Sequence, residues 1–351
     1  MKILQVCPKY FPAIGGVEDH VRNISERLAR EYEVTVFTTN PSGGLPKEEQ
    51  INGVRVKRFK SFSPNDAYHV SFEMLRELRR SEYDIVHGHN YHALPLFFSR
   101  YAKRNRLLVT PHYHGRGSTR IRDLLIRLYK AFGKGIFQEA NKVIAVSIYE
   151  KGLLIKDFGI GDDKIAVIPN GIDLEEFRGL EKREKARKTI LYVGRLEGYK
   201  GVQYIIRALS LSDDSVRLEI VGKGPYKEKL ISLAKGLVLE NRVDFYQDLP
   251  REELLHRYAA ADLFVLLSRY ESFSIVVAEA LASKTPCIVA NTSALSEWVD
   301  NENCFGIDYP IVIDRLAELI SKVIGKKVQQ IKLWDWEEVV KETVRVYEEQ
   351  A

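Results

Sequence analysis

Short runs of Val, Ile and Leu alternate with longer helical patterns along almost the whole chain, and this alternation restricts the possible folds more than any other feature. In the first half the strand-like runs are Ile3–Val6, Val34–Thr38, Val54–Arg58, Ile85–His87, Leu107–Thr110 and Val143–Val146. Helical patterns lie between them at Val17–Arg30, Phe72–Arg80 and Leu94–Arg104. The alternation restarts with Thr189–Val193, Leu218–Val221, Val243–Tyr246, Leu263–Leu266 and Cys287–Ala290. Strands that are apolar without interruption are buried on both faces, which calls for parallel sheets covered by helices. The spacing predicts two doubly wound α/β units.

The boundary between them is marked by turn chemistry at Ile168-Pro169-Asn170-Gly171-Ile172-Asp173 and by the charge run Glu181–Lys188. The units therefore span 1–172 and 173–333, each near the size that one core can serve. Beyond them, Trp334-Asp335-Trp336 opens an amphipathic segment with Val339, Val340, Val344 and Tyr347 at helical spacing. A tail of this kind over 334–351 is expected to pack back on the first unit.

Composition narrows the function. Apolar residues at 45% and charged residues at 29% suit a folded chain rather than a disordered one. No apolar run approaches the roughly 20 residues of a membrane span, and Met1–Val6 is too short for a signal peptide, so a cytoplasmic protein is expected. The three cysteines, Cys7, Cys287 and Cys304, form neither a disulfide framework nor a metal pair. Only two methionines, with Lys and Glu abundant, fit a heat-adapted (thermophile) host. Residues 1–172 hold 27 Lys and Arg against 18 Asp and Glu, so the first unit is suited to meet something anionic. No helix-turn-helix, RNP or zinc-finger pattern accompanies that charge, and nucleic acid is not expected. The excess gathers between Arg100 and Lys142, with 11 basic and two acidic residues. There Ile121, Leu124, Leu125, Leu128, Phe132 and Ile136 approximate one helical face in the segment 120–136. Two readings stay open: a core helix with a solvated charged side, or a helix in peripheral contact with an anionic membrane.

Ligands of doubly wound sheets sit beyond the carboxyl ends of the strands, and the chemistry-bearing residues fall at such ends. After the first strand, Gly15 and Gly16 stand where a helix begins, so bare amides could approach a phosphate. For a lone Gly-Gly an ordinary turn is the favoured reading. After the first strand of the second unit comes Gly194-Arg195-Leu196-Glu197-Gly198-Tyr199-Lys200-Gly201. Arg195 and Lys200, five apart on a glycine-rich loop, can converge on one diphosphate. The next strand end repeats the theme at Gly222-Lys223-Gly224-Pro225. The strongest local signal is Glu271-Ser272-Phe273-Ser274-Ile275-Val276-Val277-Ala278-Glu279, two carboxylates eight residues apart. Glu279 lies in an otherwise apolar helix face, where a carboxylate needs a partner. A ribose diol or a surface salt bridge would each supply one.

These motifs, taken in order with Thr110-Pro111-His112, Val146-Ser147, Asn170-Gly171-Ile172-Asp173, Ala261-Asp262-Leu263-Phe264-Val265 and Ser268, resemble family 4 of the retaining glycosyltransferases (glycosyl transferases group 1) over nearly the whole chain. The resemblance implies the GT-B fold: two Rossmann-like domains facing a cleft, the first acceptor-binding and joined by the C-terminal helix, the second donor-binding. It implies a hexosyltransferase of carbohydrate biosynthesis that moves a sugar from a UDP-sugar, a GDP-sugar or another nucleotide diphosphate sugar to a glycan, lipid-linked or small-molecule acceptor. Arg195 and Lys200 would neutralise the diphosphate, with the amides of Gly15 and Gly16 approaching it from the first domain and Gly222 from the second. Glu271 would hold the sugar, Glu279 the ribose, and the backbone of Phe273, Ser274 and Ile275 would lie against sugar or phosphate. His112 would sit near the sugar ring, and the leaving phosphate would help to deprotonate the acceptor. The chain departs from the family where glycine is usual: Ser274, Lys284, and Gln247-Asp248. The last of these touches the loop expected at the base.

Three other readings compete. His87, His89 and His92 with His112 and His114 resemble a metal cluster, but no carboxylate or thiolate completes the set at ordinary zinc spacing. No Asp-x-Asp occurs in the sequence, so a metal-free enzyme without a cofactor is expected. A nucleotide-sugar epimerase, or a non-catalytic nucleotide-sugar sensor, would share the architecture. Base, sugar, acceptor and oligomeric state stay open.

Overall fold

The computed structural model describes residues 1–64, 68–115, 130, 133–180 and 187–349. The chain divides into two compact units, one of Met1–Gly171 with Trp334–Ala351, the other of Ile172–Leu333.

The first unit holds an eight-stranded sheet: β1 (Lys2–Val6), β2 (Glu33–Thr39), β3 (Glu48–Ile51), β4 (Val54–Phe59), β5 (Glu82–His89), β6 (Lys103–Thr110), β7 (Lys142–Ala145) and β8 (Ile165–Val167). Their order is β3-β4-β2-β1-β5-β6-β7-β8, and every neighbouring pair is parallel except β3–β4. β1, β2 and β5 lie at the centre of the sheet and are buried along most of their length, and at their carboxyl ends the buried residues turn polar, among them Gln5, Thr38, His87 and His89. Leu94–Arg104, read as one helix, is instead a short helix Leu94–Phe98, a turn, and then the start of β6. Pro95 stands in the first turn of that helix, and at Ala102 the backbone becomes extended and leads into β6.

The tail belongs to this unit. Asp335 and Glu338 form a reciprocal capping box at the start of the helix Trp336–Glu348, whose buried stripe is Trp336, Val339, Thr343, Val346 and Tyr347. The hydroxyl of Tyr347 accepts from Gln5 Nε2 at 3.0 Å and meets His87 Nδ1 at 2.8 Å. A Cβ at Gly171 would stand 2.8 Å from the Asp335 carbonyl carbon, so the Asn-Gly turn is needed where the tail crosses it.

The second unit has a six-stranded, wholly parallel sheet of β9 (Thr189–Val193), β10 (Arg217–Val221), β11 (Val243–Tyr246), β12 (Leu263–Leu266), β13 (Cys287–Ala290) and β14 (Cys304–Ile307), in the order β11-β10-β9-β12-β13-β14. Both sheets change winding direction once, between β1 and β5 and between β9 and β12. Loops that leave the carboxyl ends of those strands are where such folds bind ligands.

Of the basic segment 120–136, all but Lys130 and 133–136 lies outside the described residues; Ile136 is fully buried and Lys130 pairs with Asp157. No helix among the described residues is long and apolar enough to cross a membrane.

Candidate active site

In the second unit the glycine loops after β9 and β10 pack on each other, and the first of them also packs on the segment that leaves β12. Gly194 N–H donates to the Val221 carbonyl, Leu196 N–H to Lys223, and Gly222 N–H to Tyr246. A Cβ at Gly222 would fall 1.9 Å from the Gly194 oxygen, and one at Gly201 would fall 2.3 Å from the Leu267 oxygen. The glycines are therefore demanded by loop packing. The Gly222 amide is committed to the Tyr246 carbonyl, so any contact of this loop with a ligand does not use that N–H.

That packing sets Lys200 against Glu271. Its Nζ donates to Glu271 Oε1 at 2.6 Å, and both side chains are about 15% exposed. Burial opposes the charge on Lys200, but the Glu271 carboxylate, with Tyr199 behind it, outweighs burial and holds the ammonium above the usual lysine range. Glu271 is fixed in turn, its amide donating to Ser293 Oγ and its carbonyl accepting from Ala294. Arg195 behaves differently: its side chain is 72% exposed and pairs with Glu197, while Tyr192 OH anchors its carbonyl.

Past Glu271 the chain enters the helix Ile275–Ala282, whose first turn carries no side-chain cap. Phe273 is buried, its carbonyl accepting from Trp298 Nε1 at 2.9 Å. Ser274, at φ +81°, is the residue before the helix, and Ile275 opens it. Positive φ is where glycine is at ease, and the three departures from the family's glycines (Ser274, Lys284 at +60° and Asp248 at +51°) all fall there.

Glu279 is not the solitary carboxylate its apolar neighbours suggested. Arg251 Nη1 donates to Oε1 at 2.6 Å and Tyr258 OH to Oε2 at 2.9 Å, while Arg251 also forks onto Glu176. Arg251 and Tyr258 stand about two turns apart on one face of the helix Arg251–Ala260. That spacing is the only sign of them in the sequence. Each carboxylate oxygen keeps a second lone pair for a ribose hydroxyl.

In the first unit Gly15 is the N-cap of the helix Gly16–Leu28, which also lacks a side-chain cap. A Cβ at Gly16 would meet nothing within 4 Å, so no packing contact demands that glycine. One turn further along this helix is His20, which the sequence reading passed over. It meets His112 ring to ring at 4.8 Å and His89 at 5.6 Å. His20 Nδ1–H donates to Asn170 Oδ1, and His89 Nε2–H to Gln5 Oε1. The opposite nitrogens, His20 Nε2 and His89 Nδ1, have no partner among the described residues, and neither does His112 Nε2.

Candidate metal-binding atoms of these three histidines all lie within 4.8 Å of one another. Nitrogens sharing one tetrahedral zinc are roughly 3.4 Å apart, so zinc would require the rings to draw together, whereas hydroxyl groups at ordinary hydrogen-bond lengths fit the wider spacing. Burial, and secondarily the neighbouring imidazoles, hold His112 and His89 well below the usual histidine range, and burial lowers His20 to about 4 despite its bond to Asn170. At neutral pH the cluster is uncharged. His112 itself is held at φ +49° by Glu150, a fully buried carboxylate that accepts from the amides of Tyr113 and of Val146. The remaining pair, His92 and His114, stacks separately at 4.8 Å.

Known proteins carry the same pattern. The family model of Glycosyltransferase Family 4 matches residues 14–176, and that of Glycosyl transferases group 1 matches residues 173–336. An uncharacterised glycosyltransferase of Methanocaldococcus jannaschii is 30% identical over 99% of this chain and 98% of its own. Among solved structures, sucrose-phosphate synthase of Thermosynechococcus elongatus has a TM-score of 0.82 at 22% identity, covering 99% of this chain and 98% of that one. Anabaena HepE in complex with UDP-glucose has a TM-score of 0.79 at 20% identity, covering 99% and 100%. At those identities the structural likeness establishes the GT-B fold. With both family models and a full-length relative in agreement, the chain belongs to the group 1, family 4 glycosyltransferases.

Proposed function

We propose that the protein transfers a sugar, with retention at the anomeric carbon and without a metal, from a nucleotide diphosphate sugar to a carbohydrate or lipid-linked acceptor. The observation that carries this reading is the largely enclosed Lys200–Glu271 pair, each side chain about 15% exposed, beside the uncapped helix Ile275–Ala282. A cation and a helix N-terminus suit a diphosphate, and the carboxylate between them suits the hydroxyls of the attached sugar. Because HepE is a UDP-glucose complex, UDP-glucose is the first donor to test.

Departure of the diphosphate builds negative charge on its terminal phosphate, and Lys200 and Arg195 stabilise that charge more strongly than the ground state. Glu279 takes the ribose with the lone pairs left by Arg251 and Tyr258. The neutral His112 hydrogen-bonds a sugar hydroxyl and is not a proton donor of imidazolium type at neutral pH. The acceptor loses its proton to the leaving phosphate.

The test follows the anomeric proton by NMR while an α-linked UDP- or GDP-sugar is turned over in EDTA. The expected product is an α-glycoside, with free nucleoside diphosphate. A β-linked product contradicts retention, an isomerised nucleotide sugar formed without acceptor favours an epimerase, and activity lost to EDTA but restored by Mg²⁺ contradicts the metal-free reading.

A further inference from the structure

Of the three side chains that stand at positive φ where the family usually has glycine, two have visible surroundings. Lys284 is exposed, and Asp248 pairs with Lys223 at 2.8 Å. Ser274 differs. It is about nine-tenths buried, and its hydroxyl has no partner among the described residues. A strained backbone and an unsatisfied buried hydroxyl on one residue are two penalties that glycine would avoid.

Its setting is rigid. Glu271 is held by Lys200 and Ser293, and the Phe273 carbonyl by Trp298, so the hydroxyl has a defined place beside the bare first turn of the helix Ile275–Ala282. Unpaired amides at the positive end of a helix and one O–H donor together complement an acceptor-only, anionic oxygen. Resting on the donor reading above, we propose that Ser274 is a specificity residue of this chain: its Oγ–H donates to an oxygen of the donor's β-phosphate, the one bonded to the sugar. Glycine-bearing members of the family have no side chain there to make this bond.

The experiment is calorimetric titration of wild type, Ser274→Gly and Ser274→Ala with UDP, GDP and ADP and with the matching monophosphates, alongside melting of the unliganded proteins. Both variants are expected to weaken the preferred diphosphate about 10-fold or more, the scale of a hydrogen bond to a charged group, and to leave the monophosphate within about 3-fold. Neither should lower Tm, because each removes a hydroxyl that the unliganded protein leaves unsatisfied. Unchanged diphosphate affinity in both variants, with Arg195→Ala still weakening it, overturns the role of Ser274 and leaves the donor site standing. A wild type that binds none of the diphosphates overturns both.

Discussion

Lys200→Ala is expected to lower turnover about 10²–10³-fold, the usual loss when one preorganised donor to transition-state charge is removed. Folding complicates this variant, because it leaves the Glu271 carboxylate alone in a site where both partners are about 15% exposed. Breaking a fully buried pair costs about 3–5 kcal/mol, and the residual exposure screens part of that. Lys200→Ala with Glu271→Gln removes the stranded charge, so Tm should recover while turnover does not. Arg195→Ala separates the two effects more cleanly. Its side chain is 72% exposed, with Glu197 as its ion partner among the described residues, so the change should leave Tm nearly untouched and still lower turnover sharply. Near-wild-type turnover in both Arg195→Ala and the double variant, measured with the true donor, would refute the diphosphate assignment.

Acid should unfold the first unit well before the second. Seven of the eight histidines lie in the first unit. Burial lowers His20 to about 4 and His87 and His92 to about 3, and holds His89 and His112 well below the usual range. An unfolded chain takes up protons on these imidazoles near pH 6.5, whereas in the folded unit His20 takes one up near pH 4 and His87 and His92 near pH 3. Acid therefore favours the unfolded state. Stability is complete above about pH 6.5 and falls as pH drops toward the folded values, by about 1.4 kcal/mol per pH unit for each histidine fully engaged. Melting followed from pH 7.5 to pH 5 should resolve one transition into two, the lower one sliding steeply with pH. A Tm independent of pH over that range would mean that the imidazoles titrate in the folded unit as they do in the unfolded chain.

The alternation of strands was legible because parallel strands buried on both faces have no polar register to disguise them. Three strands escaped for local reasons: β3 is a charged antiparallel edge, β8 has three residues, and β14 carries Gly306. Within the tail, Val340 and Val344 were expected on the buried stripe, but Thr343 and Val346 take those places. In the site, Lys200 and Glu271 could be found because each sits on a loop with its own pattern. Arg251, Tyr258 and His20 could not, since each reaches its partner only through the fold. Gly222 is ambiguous in sequence because one residue type answers two needs, close loop packing and close ligand approach, and the distance to the Gly194 oxygen shows only the first. Ser274, Lys284 and Asp248 read as arbitrary departures until their backbone angles showed why glycine is usual there.

The central claim is that the loops around Lys200 bind a nucleotide diphosphate sugar, and melting temperatures against a panel of UDP-, GDP- and ADP-sugars test it most directly. A ligand bound only by the folded state adds about 2.7 kcal/mol at 100 times its Kd. The account predicts a saturable rise in Tm with sugars of one base, undiminished by EDTA and absent from the Lys200→Ala, Glu271→Gln double variant. No rise with any member of the panel, or an equal rise in the double variant, would contradict it.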